Sequence, residues 1–144
     1  MNEQLKVEQK IFINADAVQV WDALTNPELI SKYMFGTKTT SEWKVGSEIV
    51  FEGEYQGKPY RDGGVILALQ PELMLKYSFE PGMNGEGDGQ NGYKSVISFN
   101  LSKFASGTEL QMVQEGFRSM EQKRDSEVSW DEMLHKLKEL VESN

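Results

Sequence analysis

From Thr37 to Phe117 the chain alternates apolar and polar residues at period two, in short runs separated by tight-turn residues, and one long amphipathic stretch then closes it. That order narrows the fold sharply. Successive strands joined by hairpins pair antiparallel. A single helix with a wide apolar stripe must bury it on the sheet those strands make. The runs are "TTSEW", "SEIVFEGEY", "RDGGVILALQP", "LMLKYSFEP", "YKSVISFNLSKF" and "TELQMVQEGF", with "QGKP" and "ASG" among the turns. Alternation sets Ile49, Phe51, Gly53 and Tyr55 on one face against Val50, Glu52 and Glu54. It likewise places Tyr93, Ser95, Ile97, Phe99 and Leu101 together, and Leu110, Met112 and Gln114 together.

Ahead of this sheet, Leu5, Val7, Gln9, Ile11 and Ile13 form one face of a first strand, with Lys6, Glu8, Lys10 and Phe12 on the other. Asp16 with Gln19 three residues on is a capping box for a helix whose stripe is Ala17, Val20, Trp21 and Leu24. "TNPEL" starts a second short helix, with Asn26 as cap and Pro27 at the first helical position, carrying Leu29, Ile30, Tyr33 and Met34. The C-terminal helix has Trp130, Met133, Leu134, Leu137, Leu140 and Val141 as its apolar stripe. Ser119 with Gln122 is one candidate start for it, and Asp125 and Ser126 are others. The expected architecture is α+β: a curved antiparallel sheet of about 6–7 strands wrapped around the long helix, with two short helices after the first strand. Wherever side chains do not fill the space between sheet and helix, a cavity remains. Its expected volume is the usual ~300–1,000 Å³ of ligand pockets.

The 144 residues suit one domain, taken as 1–144. A formal net charge of −8 argues against nucleic acid and anionic lipid, which require a basic surface. The absence of cysteine excludes disulfides, thiolate nucleophiles and Cys-ligated zinc. With one histidine besides, no metal site is expected. "MNEQLKVEQKIFIN" lacks the basic start and apolar core of a secretory leader, and no apolar run approaches the roughly 20 residues of a membrane span. These features lead to a cytoplasmic protein without membrane insertion as the expectation.

"GDGQNG", Gly87 to Gly92, matches the dinucleotide pattern G-x-G-x-x-G. The pattern works by leading into a helix whose N-terminal N–H groups hold pyrophosphate. Here a strand follows, and Glu80, Glu86 and Asp88 would repel phosphate. Asn84, Glu86, Asp88 and Gly89 copy the first half of a calcium loop, but Ser95 stands where its bidentate Glu belongs. The stretch is read as a solvated hairpin connection that holds neither a nicotinamide cofactor nor calcium, and no cofactor is expected elsewhere. His135 falls off the apolar stripe and is expected at the surface. Arg61 and Asp62 are expected to be a surface pair. The candidate ligand-pocket residues are Phe51, Tyr55, Tyr77, Phe79, Ile97, Phe99, Leu110, Met112, Gln114, Trp130, Met133, Leu134 and Leu137, with no catalytic constellation among them. Gln114 places a polar amide on an inward face. It either sits at a strand end near water or is a polar anchor in a pocket.

"INADAVQVWDALTNPELISKYM", "GSEIVFEGEY", "GGVILALQPELMLKYSF", "GTELQMVQEGF" and "SWDEMLHKLKELVES" together resemble the activator-of-heat-shock-protein-90-ATPase homologue family. That family lies in the START-like, birch-pollen-allergen-like helix-grip superfamily, and the resemblance runs from about Val7 to Ser143. It implies a hydrophobic cavity between sheet and helix and no catalytic signature. The family's co-chaperone has an additional domain that this chain is expected to lack, so chaperone activation is not carried over. Two departures affect the pocket's polarity. "SKYMFG" stands where a tryptophan usually follows the second short helix, and Gln114 replaces a histidine often found late in its strand. The expected function is binding of a small hydrophobic or amphipathic molecule. The alternatives are a small-molecule enzyme of aromatase/cyclase or hydrolase type and a co-chaperone-like protein-interaction module. An enzyme would place at least two titratable groups in the cavity, where tyrosine hydroxyls and Gln114 are the most that is expected.

Overall fold

The computed structural model of the chain describes residues 5–80, 95–117 and 119–143. The Gly87–Gly92 stretch, with its nucleotide and calcium readings, lies outside the described residues. In chain order the elements are β1 (Lys6–Ile13), α1 (Ala17–Thr25), α2 (Pro27–Tyr33), β2 (Lys38–Ser41), β3 (Glu48–Tyr55), β4 (Lys58–Gln70), β5 (Met74–Phe79), β6 (Ser95–Phe104), β7 (Gly107–Glu115) and α3 (Met120–Glu142). The seven strands form one antiparallel sheet in the order β1-β7-β6-β5-β4-β3-β2. The helix-grip architecture is therefore present as expected.

Local chemistry accounts for the element ends. Gln19 reaches back to accept the Asp16 backbone N–H at 3.4 Å, and the Asn26 side-chain Oδ1 accepts the Glu28 N–H at 3.0 Å. The open question of where α3 starts resolves to Ser119, whose hydroxyl accepts the Gln122 N–H at 3.1 Å. Asp125 and Ser126 consequently lie within the helix. The β3–β4 turn is tighter than the expected "QGKP". Tyr55 pairs with Lys58, leaving Gln56 and Gly57 as the two turn residues, both at positive φ. Lys58 and Pro59 therefore belong to β4.

The core sits between the sheet's inner face, α1, α2 and the C-terminal half of α3. Val7, Ile13, Val20, Ile66, Leu75, Leu110, Met112, Leu134 and Leu137 are all buried there. Two contacts clasp the end of α3 to β1. Lys138 Nζ donates to the Phe12 carbonyl at 2.7 Å, and Glu142 accepts both Lys138 Nζ and the Asn14 N–H at 2.7 Å. The Asn14 N–H and the Lys138 ammonium hold the Glu142 carboxyl below its usual range. Alternation along β3 is broken at Val50, which is buried although its neighbours Ile49 and Phe51 face the core. Arg61 pairs across the strands with Glu52 at 3.1 Å, not with its sequence neighbour Asp62. The reason is register: Glu52 and Arg61 are directly opposite and so share a face, whereas Asp62 points to the other. Among the described residues no helix is long and apolar enough to cross a membrane.

Candidate functional site

A cavity of about 600 Å³ lies between the N-terminal half of α3 and the β3–β4–β5 side of the sheet, with the end of α2 beside it. Its wall is mostly apolar. The helix side is one stripe, Gln122, Asp125, Ser126, Ser129, Trp130 and Met133, recurring at spacings of three and four. The sheet side is Phe51 and Glu54 from β3, Tyr60 and Asp62 from β4, Tyr77 and Phe79 from β5, Ile97 from β6 and Gln114 from β7. Met34, Phe35, Thr37 and Phe117 complete it.

Gln114 is only 3% exposed and acts as the polar centre of the floor. An indole N–H can only donate, so the amide oxygen must be the atom facing Trp130 Nε1, at 2.8 Å. The same oxygen accepts the Ser126 hydroxyl at 2.9 Å. The amide nitrogen donates to Ser95 Oγ at 2.8 Å. Of the two placements open to Gln114 in sequence, the structure shows the buried one. The amide ties β7 to β6 and to α3, and it fixes where the Trp130 ring sits. Trp130 meets Phe99 edge-on at 5.7 Å between centroids. From there rings continue through Tyr77 (6.3 Å), Phe51 (5.7 Å) and Phe79 (6.0 Å).

At the other end of the cavity, the Tyr60 ring lies across Gly53, where a Cβ would collide with it. This brings the Tyr60 hydroxyl to 2.6 Å from Thr37 Oγ1. Phe35, at φ 56° and 59% exposed, stands at the mouth in a backbone conformation that costs a non-glycine residue energy. Burial pushes the Tyr33 and Tyr77 hydroxyls well above the ordinary phenol range, and for Tyr33 the proximity of Tyr77 adds to it.

Of the candidate pocket residues, Phe51, Tyr77, Phe79, Ile97, Gln114, Trp130 and Met133 line this cavity. Phe99, Leu110, Met112, Leu134 and Leu137 are packed in the core instead. They share the inward faces but occupy the end of the sheet–helix space that β1, α1 and α2 fill. Tyr55 closes β3, and its side chain lies outside the described residues. His135 is at the surface beside Asp131, its Nδ1 2.8 Å from the Asp131 carbonyl. The expectation that tyrosine hydroxyls and Gln114 would be the only titratable or polar groups in the cavity is overturned. Glu54, Asp62 and Asp125 line it too. Asp62 stands directly opposite Phe51 in the β3–β4 register and therefore shares its inward face. Asp125 lies beyond the apolar part of the α3 stripe, so an apolar pattern alone does not reach it. Stepping back from Trp130 and Met133 by four and then four again reaches Ser126, Ser129, Gln122 and Asp125. That switch from apolar to polar along one face was the available signal that the helix leaves the packed core and passes over open space.

The family model for the Activator of Hsp90 ATPase homolog 1-like protein matches residues 14–142. A protein from Cytophaga hutchinsonii, solved in solution, is 38% identical. The match covers 96% of this chain and 94% of that one, with a TM-score of 0.79. A crystal structure from Mesorhizobium loti is 25% identical over 96% of this chain and 98% of that one, with a TM-score of 0.80. The Aha1 dimer from Colwellia psychrerythraea, at 18% identity and a TM-score of 0.73 over 95% and 96% of the two chains, shares the fold. No match to a curated protein was found.

Proposed function

The chain belongs to the family of activator of Hsp90 ATPase homolog 1-like proteins, and from that premise we propose that it binds a small hydrophobic or amphipathic molecule in the cavity between sheet and α3. The observation that carries this reading is the cavity of about 600 Å³ walled by aromatic rings and floored by a fully buried, multiply bonded amide. Its size is within the range of sites for small ligands. A fixed floor of this kind orients what enters, because the amide and the indole are held by each other and do not reorganise on binding. The absence of cysteine supports the cytoplasm as the proposed location.

The test is titration with N-phenyl-1-naphthylamine, a neutral reporter whose emission rises in apolar surroundings. Saturable enhancement is expected, and it should be lost in Met133→Trp, which fills the cavity from α3. Equal enhancement in both proteins would place the reporter elsewhere and remove the support for this site.

One observation favours a second reading, small-molecule catalysis. The carboxyl groups of Glu54, Asp62 and Asp125 line the same space, and acid–base chemistry needs titratable groups within reach of a bound molecule. That reading requires a bound compound to be turned over, and loss of turnover in Asp125→Asn with binding retained.

A further inference from the structure

We infer that Tyr60 fixes the length of molecule the cavity admits. Drawn across Gly53 onto Thr37, its ring is the end wall, and the ligand is a compact amphiphile bounded by that ring and the Gln114 floor. This rests on the ligand-binding reading above and adds the residue that sets ligand length.

The wall is built across adjacent strands. Gly53 of β3 stands directly opposite Tyr60 of β4. On the other side of β3, Lys38 pairs with Glu52, so Thr37, one residue before β2, comes level with Gly53. Thr37, Gly53 and Tyr60 thus make one row across the sheet, on the same face as Phe51. A tyrosine can span such a row only if the middle position has no side chain. A Cβ on Gly53 would lie 2.7 Å from Tyr60 Cζ and closer still to the hydroxyl oxygen. The bare glycine lets the ring lie over β3 and bring its hydroxyl to 2.6 Å from Thr37 Oγ1. The anchor is itself held: Thr37 is 7% exposed, and its N–H donates to the Met34 carbonyl at 3.1 Å.

The position of this row makes it a boundary. Tyr60 and Thr37 both line the cavity. β3 ends at Tyr55, two residues beyond Gly53, and Gln56, Gly57, Lys58 and Pro59 are exposed, so the sheet stops close behind the ring. The opposite end is fixed, because Gln114 is held by Ser95, Ser126 and Trp130. Between that floor and a ring tied at its tip, a longer body extends only by breaking the bond between Tyr60 and Thr37. Covering a bare strand glycine with an aromatic ring also stabilises a sheet by itself. A ring that did only this would affect stability and leave the preferred ligand length unchanged, which separates the two roles.

The probes are 4-alkylphenols from ethyl to octyl in steps of two methylenes, uncharged at neutral pH. Binding is measured by displacement of N-phenyl-1-naphthylamine, with the Trp130 indole N–H resonance reporting occupancy of the cavity. Each step that buries two methylenes should tighten binding by roughly tenfold. In the parent this gain is expected to stop before octyl, a result that needs no variant. In Tyr60→Ala the wall is gone, and in Gly53→Ala the new Cβ pushes the ring aside. In either one, checked for folding by its thermal melt, the gain should continue, raising the ratio of octyl to ethyl affinity by at least about tenfold. If the alkylphenols bind at Trp130 but the gain runs unbroken to octyl in the parent, the length inference fails while the binding reading stands. The same holds if the octyl-to-ethyl ratio is equal in parent and variants, since Tyr60 is then only a cover for Gly53. If no alkylphenol shifts the Trp130 resonance, both readings fall together.

Discussion

Gln114 shows how one residue can carry more of a site than its size suggests. It replaces an apolar position on an inward face, and an amide there must find partners or destabilise the fold. It finds Ser95 on β6, and Ser126 and Trp130 on α3. Replacing Gln114 with Leu preserves volume but leaves the Trp130 indole N–H and two hydroxyls without their acceptor or donor. Destabilisation of about 1–3 kcal/mol is expected from unsatisfied buried groups, measured by urea unfolding, together with a shifted indole N–H resonance. A variant as stable as the parent, with that resonance unmoved, would mean the bonds to Gln114 do not hold the ring. The sequence placed Gln114 on the inward face correctly. It could not distinguish a wet strand end from a buried anchor, because the deciding partners are 12 to 19 residues away in other elements.

At the scale of the element, α3 is two helices in one. Its C-terminal half, with Leu134, Leu137 and Val141, is packed against β1, α1 and α2. Its N-terminal half turns the same face, now Gln122, Asp125, Ser126 and Ser129, to the cavity. A packed position and an open one respond differently to the same kind of change. Leu134→Ala should cost about 2–5 kcal/mol through lost burial and a residual void. Ser129→Leu should change stability by no more than about 0.5 kcal/mol, since an added side chain meets space there. Thermal or chemical unfolding of the two variants checks the contrast. A Ser129→Leu loss as large as that of Leu134→Ala would show that the N-terminal half is packed after all. The apolar half of α3 was plain from the sequence, since burial requires apolar residues at helical spacing. The polar half was not, because a polar stripe reads as a solvated face until the sheet opposite is known.

For the whole molecule, the two buried tyrosines link the core to pH. Burial raises the Tyr33 and Tyr77 hydroxyls above their ordinary value of about 10. A folded pKa above the unfolded one means the contribution is fully present below the unfolded value. It is lost as pH rises past about 10 toward the folded value, because only the unfolded chain then releases the protons. Alkaline titration should therefore show the last phenolate absorbance appearing together with loss of tertiary structure, and Tyr77→Phe should shift that unfolding to higher pH. Smooth ionisation of every tyrosine in the folded protein would contradict it. By itself the sequence determined the alternating strands, the caps of the two short helices and the helix that closes the fold. Each of these rests on local rules: alternation at period two, spacing at 3.6, and capping side chains a few residues from the groups they satisfy. Only the tertiary structure decided where the sheet and α3 part company. The inward faces of β3 to β7 look alike in sequence, yet Leu110 and Met112 are packed in the core while Phe79 and Ile97 border the cavity. A side chain's direction is set by its own strand or helix, but whether anything fills the space in front of it is set by elements far along the chain.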